Sequence, residues 1–282
     1  MKPIDKGNKF VLPSIVLLLL VTLYPLFYVF YLSLQRRLLL FDISKFVGME
    51  NYLFLFRDDR FFNALKNTLY FTIVSVTLEL VLGIAIALLL HRSFKAKGLM
   101  RAVVLIPWAI PTVVSAKMWE WIYNTDFGIL NYLLGIQVNW LGHPLWAIHA
   151  AIFMDVWKTT PFVVILITAG LQVIPKELYQ AARVDGAGSW KIFRWITLPL
   201  LKPVILVVMI FRTLDAFRVF DAIYVLTGGG PANTTETLSI YAYKVLFQTL
   251  QFGYGSTLSV VVFLCIGSIS VFYLRLLSRD KR

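Results

Sequence analysis

Residues 10–34 have the sequence FVLPSIVLLLLVTLYPLFYVFYLSL, a run of 25 residues without one charged side chain. A helix needs roughly 20 mainly apolar residues to cross a hydrocarbon core about 30 Å thick, so this stretch predicts a membrane-spanning helix. A cleaved secretory signal would have an apolar region of only about 7–15 residues, followed by a small-residue cleavage site. Because this run is longer and continues through several aromatic residues, we interpret it as a permanent anchor.

The composition of the whole chain is also that of a membrane protein. Of its 282 residues, 59% are hydrophobic and 15% are charged, whereas a soluble domain carries about 25% charged residues. A net charge of +12 would suggest nucleic acid as the partner of a soluble protein. In a membrane protein the same charge is typical of basic cytoplasmic loops, so we expect a lipid bilayer and no nucleic acid.

Apolar runs predict an all-α polytopic membrane protein with six transmembrane helices in a single domain. The six spans are expected at about residues 10–34, 68–90, 102–123, 145–171, 203–226 and 257–277. The longest inner loop covers 172–202, and the outer loops cover 35–67, 124–144 and 227–256. Prolines at 107, 111 and 161 are expected to bend or locally open their helices.

Lysine and arginine are distributed unevenly between the two sides of the predicted bundle. If both termini are cytoplasmic, sixteen of the 27 basic residues lie in inner segments and seven in outer segments. Cytoplasmic loops of membrane proteins carry such an excess, so the distribution predicts that both termini are inside.

The start and stop residues of the inner loop 172–202 predict two short helices. Pro175 suits the start of the first helix, Glu177 its first turn, and Gly186 a left-handed stop. Ser189 is the predicted cap of the second helix, which is expected to close at Leu198–Pro199. The residues alone leave two interpretations open: a hairpin on the bilayer surface, or a docking site for a cytoplasmic partner.

The same loop resembles the EAA loop of ABC importer permeases. The matching residues are Ala181, Ala182, Asp185, Gly186, Ala187, Phe193, Ile196, Leu198 and Pro199. Gln180 replaces the usual acid of that motif, and Glu177, one turn earlier, is an alternative acid. The resemblance implies that all these residues couple the permease to a separate ATPase.

Further motifs resemble the carbohydrate-uptake branch of these permeases, the maltose/glycerol-3-phosphate type. They are Trp157–Phe162, Leu226–Pro231 followed by Thr235–Leu238, and Phe46–Gly48 followed by Glu50–Tyr52. The resemblance implies a type I ABC importer permease fold in a prokaryotic inner membrane, with a di- or oligosaccharide as substrate. The implied partners are a second permease, a dimer of ATPases that binds ATP and Mg²⁺, and an external solute-binding protein. The expected contacts with that binding protein are Gly229, Gly230, Pro231 and Glu236.

Ionisable residues inside spans are costly, so each needs a partner or a function. The spacing of three residues predicts the pairs Lys117–Glu120 and Asp155–Lys158 and a ladder of Arg212, Asp215, Arg218 and Asp221. Glu79 has no local partner, and pairing across helices or protonation remain alternatives. The groups are either contacts between helices or part of a substrate path, and the family implies such a path in spans four and five. The candidate path residues are Lys158, Thr159, Phe162, Arg212, Asp215, Arg218, Val219 and Asp221.

No motif for catalysis occurs in the sequence. There is no G-x-x-x-x-G-K-[ST], no G-x-S-x-G, and the three histidines have no metal-ligand spacing. We therefore expect no catalytic residue, metal or bound cofactor in this chain. The rival functions are an ion-coupled carrier of a small polar solute, a membrane-embedded enzyme, and a structural or sensory subunit.

Overall fold

The computed structural model describes residues 6–92 and 95–279. Lys2, Lys281 and Arg282, which contribute to the predicted charge distribution, lie outside this part of the chain. The described residues form two compact units, one of residues 6–61 with 241–264 and one of the remainder, where the sequence predicted a single domain.

Helices dominate the described residues. In chain order they are α1 (Lys6–Ser33), α2 (Glu50–Leu55), α3 (Asp59–His91), α4 (Lys97–Ala109), α5 (Thr112–Ile122), α6 (Ile129–Leu134), α7 (Pro144–Val173), α8 (Lys176–Val184), α9 (Ser189–Ile192), α10 (Leu198–Phe217), α11 (Asp221–Leu226), α12 (Leu238–Tyr243) and α13 (Phe252–Arg279). Five helical stretches are long and apolar enough to cross a membrane, and the bent pair α4–α5 makes a sixth if it counts as one span. This agrees with the all-α polytopic prediction.

A short β-hairpin in the first outer loop was not anticipated. Strand β1 (Gln35–Leu38) pairs antiparallel with β2 (Ile43–Phe46), with Gln35 opposite Phe46. Asp42 closes the turn in the left-handed region, with φ of 49°, a conformation that Asp tolerates better than most residues. Strands of four residues give too short an alternation of polar and apolar residues for a sequence to reveal them.

The third predicted span is broken in the middle. Helices α4 and α5 meet at an angle of 96°, where the prediction placed one helix over residues 102–123. Proline has no N–H and disfavours the helical conformation for the residue before it. Ile110, which precedes Pro111, accordingly has an extended ψ of 133°. Pro107 and Pro161 are accommodated inside α4 and α7 without such a break.

The fifth span begins earlier than predicted, because the second helix of the inner loop does not stop at Leu198–Pro199. The span also ends earlier, at Phe217. The second loop helix passes through a π-helical turn (Phe193–Thr197) into α10, so one helical stretch runs from Ser189 to Phe217. The Leu198 N–H donates to the carbonyl of Phe193, five residues back. This wide turn accommodates the proline, whose missing N–H and bulky ring disfavour a regular α-turn.

Close approach of helices builds the core of the second unit. Phe71, Met154 and Leu201 are fully buried there. At Gly83 of α3, an added Cβ would lie 2.4 Å from Cγ1 of Val163 on α7. Small residues of this kind let two backbones approach closely within a membrane, where packing replaces the hydrophobic effect as the force between helices.

We therefore expect Gly83→Val to destabilise the protein by about 1–3 kcal/mol, because overpacking forces neighbouring atoms apart. Gly267→Val is the matched control, since Gly267 also lies in a long apolar helix but an added Cβ there meets nothing within 4 Å. The measurement is the midpoint of SDS-induced unfolding of the purified protein. Equal midpoints for the two variants would contradict the close contact.

Candidate functional site

Arg212 of α10 lies at the centre of a buried ion cluster that joins three helices. Its Nε donates to Oε2 of Glu79 on α3 at 2.5 Å, and its Nη2 donates to Oε1 of the same carboxylate at 2.9 Å. Nη1 donates to Asp215 at 2.6 Å, and Nη2 lies 3.4 Å from Asp155 on α7. Glu79 is fully buried. Its partner across the helices is thus Arg212, and bidentate pairing is the strongest arrangement for such a pair.

Thr159 connects α7 to the same carboxylate. Its Oγ1 lies 2.8 Å from Oε1 of Glu79 and 2.6 Å from the carbonyl of Asp155. Because a hydroxyl has one hydrogen, it donates to one of these acceptors at a time. The hydroxyl therefore helps to orient the buried carboxylate that holds Arg212.

Next to the cluster, a cavity of about 390 Å³ opens between α7, α10, the start of α11 and the break in the third span. Its lining residues are Trp108, Thr112, Asp155, Lys158, Thr159, Arg212, Asp215, Ala216, Arg218, Val219, Phe220, Asp221 and Ala222. The volume is within the range of about 300–1,000 Å³ that is usual for small-molecule sites.

The cavity offers charged groups and aromatic rings, the two kinds of group that recognise a polyhydroxylated ligand. The side chain of Asp215 is 52% exposed and that of Arg218 is 68% exposed, so both can form hydrogen bonds to a solute. Phe220 stacks on Tyr224, with ring centroids 5.2 Å apart, and Trp108 is half exposed. Charged groups to pair with hydroxyls therefore stand next to apolar ring faces.

Seven of the eight candidate path residues line this cavity, although whether they bind a substrate stays a prediction. Phe162 does not line it and packs instead between Trp108 and Phe211, with ring centroids 6.0 and 6.2 Å apart. The sequence did not point to Trp108 and Thr112. The signal that could have found them is Pro111, because a break in a span brings residues on both of its sides to one cavity.

Only some of the ion pairs that were predicted between residues three positions apart are formed. Lys117 and Glu120 pair at 2.6 Å, as predicted. Asp155 forms its ion pair with Arg212, and the Lys158 ammonium donates to the carbonyl of Ile110 at 2.6 Å. Asp155 and Lys158 attract each other electrostatically but do not form the predicted direct pair.

The predicted ladder does not run along one helix. Asp215 bonds both Arg212 and Arg218, but α10 ends at Phe217 and Asp221 begins α11. The chain turns between Arg218 and Asp221, so the regular rotation expected for a ladder on a single helix is lost.

The inner loop has the two predicted helices, with changed boundaries for the second. Helix α8 ends where Gly186 takes a left-handed φ of 77°, and the Ala187 N–H donates to the Ala182 carbonyl at 2.9 Å, as expected of a glycine stop. The residue that caps α9 is Gly188, and Ser189 is its first helical residue. Trp190 and Trp195 are exposed on this loop.

The predicted coupling residues on α8 and its glycine stop lie at or near the surface. Glu177, Gln180, Ala181, Asp185 and Gly186 are exposed, and Ala182 and Ala187 are half-buried. No residue of α8 is buried. Of the coupling residues after α8, Phe193 and Ile196 are half-buried and Pro199 is exposed.

The glycine-rich segment 227–237 is fixed by asparagine side chains of α3. Asn63 and Asn67 both donate to the Asn233 carbonyl, at 2.8 and 3.2 Å. Among the predicted binding-protein contacts, Gly230 and Pro231 are half-buried and Gly229 is buried. Glu236 is fully buried, and whether any of these four residues contacts a binding protein stays a prediction.

Comparisons with known proteins agree with the resemblance inferred from the motifs. The family described as "Binding-protein-dependent transport system inner membrane component" matches residues 79–282. The chain is 44% identical over 273 residues to the trehalose/maltose transport system permease protein MalF of Thermococcus litoralis, covering 95% of this chain and 92% of that protein. It is 43% identical over 267 residues to the trehalose transport system permease protein SugA of Mycobacterium tuberculosis, covering 94% and 86%.

One solved structure supports the fold. It is a bacterial ABC transporter involved in the import of the acidic polysaccharide alginate, with a TM-score of 0.86 over 98% of this chain and 96% of that chain. The identity is 23%, so this likeness concerns the fold alone. The predicted all-α permease fold is thereby confirmed.

Removing Arg212 should destabilise the protein strongly, because it leaves Glu79 buried without its counter-charge. Arg212→Met is expected to cost about 3–5 kcal/mol, the usual effect of breaking a buried pair from one side. Combining it with Glu79→Gln should recover part of that loss.

The measurement is the midpoint of SDS-induced unfolding. Lys117→Met is the control, since it breaks an exposed pair and should cost less than about 1 kcal/mol. If the double variant were as unstable as the sum of its two single variants, Arg212 and Glu79 would not be coupled.

Proposed function

This chain belongs to the binding-protein-dependent transport system inner membrane component family, and from that premise we propose that it is a permease subunit of an ATP-driven carbohydrate importer. It forms part of the translocation path and leaves ATP hydrolysis to a partner. The relatives in Thermococcus litoralis and Mycobacterium tuberculosis are named as trehalose/maltose and trehalose transport system permeases, which supports sugar as the substrate class.

The observation that carries this proposal is the continuous helix between the inner loop and the cavity. The stretch Ser189–Phe217 has 29 residues, which corresponds to about 43 Å of helix at 1.5 Å per residue. One end includes the exposed Trp190 and Trp195, and the other end includes Arg212 and Asp215 of the cavity lining. A push on the loop would therefore be transmitted to the cavity through a single element.

We infer three kinds of partner for the complete importer. A second permease subunit would supply the other wall of the cavity, and a dimer of ATPases would dock on the inner loop with ATP and Mg²⁺. A solute-binding protein would deliver the sugar on the outer side, where the predicted contacts are Gly229, Gly230, Pro231 and Glu236. This arrangement requires both termini in the cytoplasm, as the distribution of basic residues predicts.

In this mechanism the ATPase dimer closes when ATP binds and moves the loop 175–199. The helix that starts at Ser189 tilts with the loop, and the cavity changes from facing the cytoplasm to facing outward. Hydrolysis resets the assembly. Such a rigid-body transition needs contacts that hold elements together as they move, and the Arg212 cluster supplies them between α3, α7 and α10.

The direct test is sugar-stimulated ATPase activity of the purified assembly in proteoliposomes. Trehalose, maltose, monosaccharides and longer oligosaccharides are added with the binding protein, and uptake is measured in parallel. We expect uptake that depends on ATP and is unaffected by ionophores. Uptake that collapses with an ion gradient at constant ATP would instead support an ion-coupled carrier.

Asp221 gives a prediction for substrate binding. Its carboxylate is exposed at the cavity and lies in the first turn of α11, where an acid is favourable. Asp221→Asn should raise the KM for sugar uptake about tenfold, since a hydrogen bond to a charged group contributes roughly 1.5–3 kcal/mol. Asp126→Asn, which alters an exposed acid outside the cavity lining, is the control. An unchanged KM in Asp221→Asn would remove this residue from the substrate site.

Gly186 gives a prediction for coupling. Its φ of 77° is unfavourable for any residue with a Cβ, whereas Gly188 has an ordinary φ of −71°, and a Cβ at either position meets nothing within 4 Å. Gly186→Val should therefore distort the loop and lower sugar-stimulated ATPase activity at least fivefold, while the protein is still inserted. Gly188→Val should retain most of the activity. Similar activities in the two variants would contradict a role for the shape of this loop.

A further inference from the structure

The C-terminal end of α4 is exceptional among the helix ends near the cavity, because it is created by a break inside a span. Pro111 stops the helix, so the last carbonyls of α4 lack the usual N–H partners. Such an end also carries partial negative charge. The carbonyl of Ile110, the residue just after α4, accepts a hydrogen bond from the Lys158 ammonium at 2.6 Å.

Lys158 is itself buried, with 8% of its surface exposed. The acid three residues earlier, Asp155, is bound by Arg212. A buried ammonium is costly unless it is hydrogen-bonded, and the Ile110 carbonyl satisfies it. The two groups therefore stabilise each other: Lys158 neutralises a free helix end, and the helix end provides an acceptor for a buried cation.

This contact lies at the wall of the cavity, because Lys158 itself is part of the lining. Trp108 and Thr112 stand on the two sides of the break, and both line the cavity. The angle of 96° between α4 and α5 sets the positions of these two residues. Helix α5 in turn packs on α11, which begins with the cavity residue Asp221.

We propose that Lys158 is a positioning residue that holds the bend of the third span and so shapes the cavity, and that it does not act by binding the sugar directly. The part of this proposal that concerns uptake rests on the proposed transport function, whereas the part that concerns the bend does not. Arginine at this position would keep the role, since a guanidinium also donates to a carbonyl. Methionine would lose it.

The first measurement is the distance between spin labels on either side of the break. Labels are placed at Leu99→Cys in α4 and Met118→Cys in α5, both exposed, in a Cys265→Ser background of the whole assembly in lipid nanodiscs. A straight helix would separate these positions by about 28 Å at 1.5 Å per residue. The bend holds them closer together.

In Lys158→Met we expect a distance distribution that is broader and shifted by several ångströms towards the value for a straight helix. Lys158→Arg should keep the narrow distribution of the unchanged protein. Lys117→Met is the matched control, since it removes an exposed lysine from the same broken span and should leave the distribution unaltered. An unaltered distribution in Lys158→Met would overturn the proposal.

The second measurement is uptake by the same variants. Lys158→Met should raise the KM at least tenfold, and Lys158→Arg should restore it to within about threefold of the unchanged protein. A raised KM in Lys158→Met with an unaltered label distance would mean that Lys158 binds the substrate directly, which contradicts the proposal. If Lys158→Met does not insert, Lys158→Gln, which still donates a neutral hydrogen bond, replaces it and should give an intermediate shift in distance.

The two measurements also separate failure of this proposal from failure of the proposed function. Absence of sugar uptake by the unchanged assembly would count against the importer function and leave the distance result valid. Normal uptake by the unchanged assembly, with no change of distance in Lys158→Met, would count against the positioning role alone.

Discussion

The structure of the second unit depends on one constraint: a guanidinium inside a membrane must be surrounded by its counter-charges. Arg212 is 4% exposed and has three carboxylates around it, from Glu79, Asp155 and Asp215. Leaving a charge unpaired in a bilayer is costly, so α3, α7 and α10 must meet at this point. The ion cluster thereby fixes where the cavity forms and which residues face it.

The same requirement explains why the break in the third span lies next to the cavity. A helix interrupted at Pro111 frees carbonyls that lipid cannot hydrogen-bond, and irregular backbone is tolerated in a membrane only where protein or a polar cavity satisfies it. Lys158 satisfies one such carbonyl, that of Ile110, and the break lies at the cavity wall. The ion cluster and the broken end of α4 thus lie beside the same cavity, which leaves space for a polar solute.

Some features followed directly from local sequence because their causes are local. The run 10–34 predicted a spanning helix by its length alone, and Gly186 predicted the end of α8 because a left-handed stop needs no distant contact. The end of the second loop helix could not be predicted in this way. Proline usually stops a helix, but at Pro199 a wide turn accommodates it and joins α9 to α10.

The sequence by itself determined the membrane class, the number of apolar runs, the loop motif and most residues of the cavity lining, since these depend on hydropathy and residue type. Only the tertiary structure decided the partners of the buried acids Glu79 and Asp155. The spacing of three suggested Asp155 with Lys158, yet Asp155 meets Arg212 from another helix. The burial of Glu236 in the glycine-rich segment was likewise decided by tertiary packing. Pairing energy depends on distance in space, so an acid can pair with a residue far away in the chain, as Asp155 and Glu79 do with Arg212.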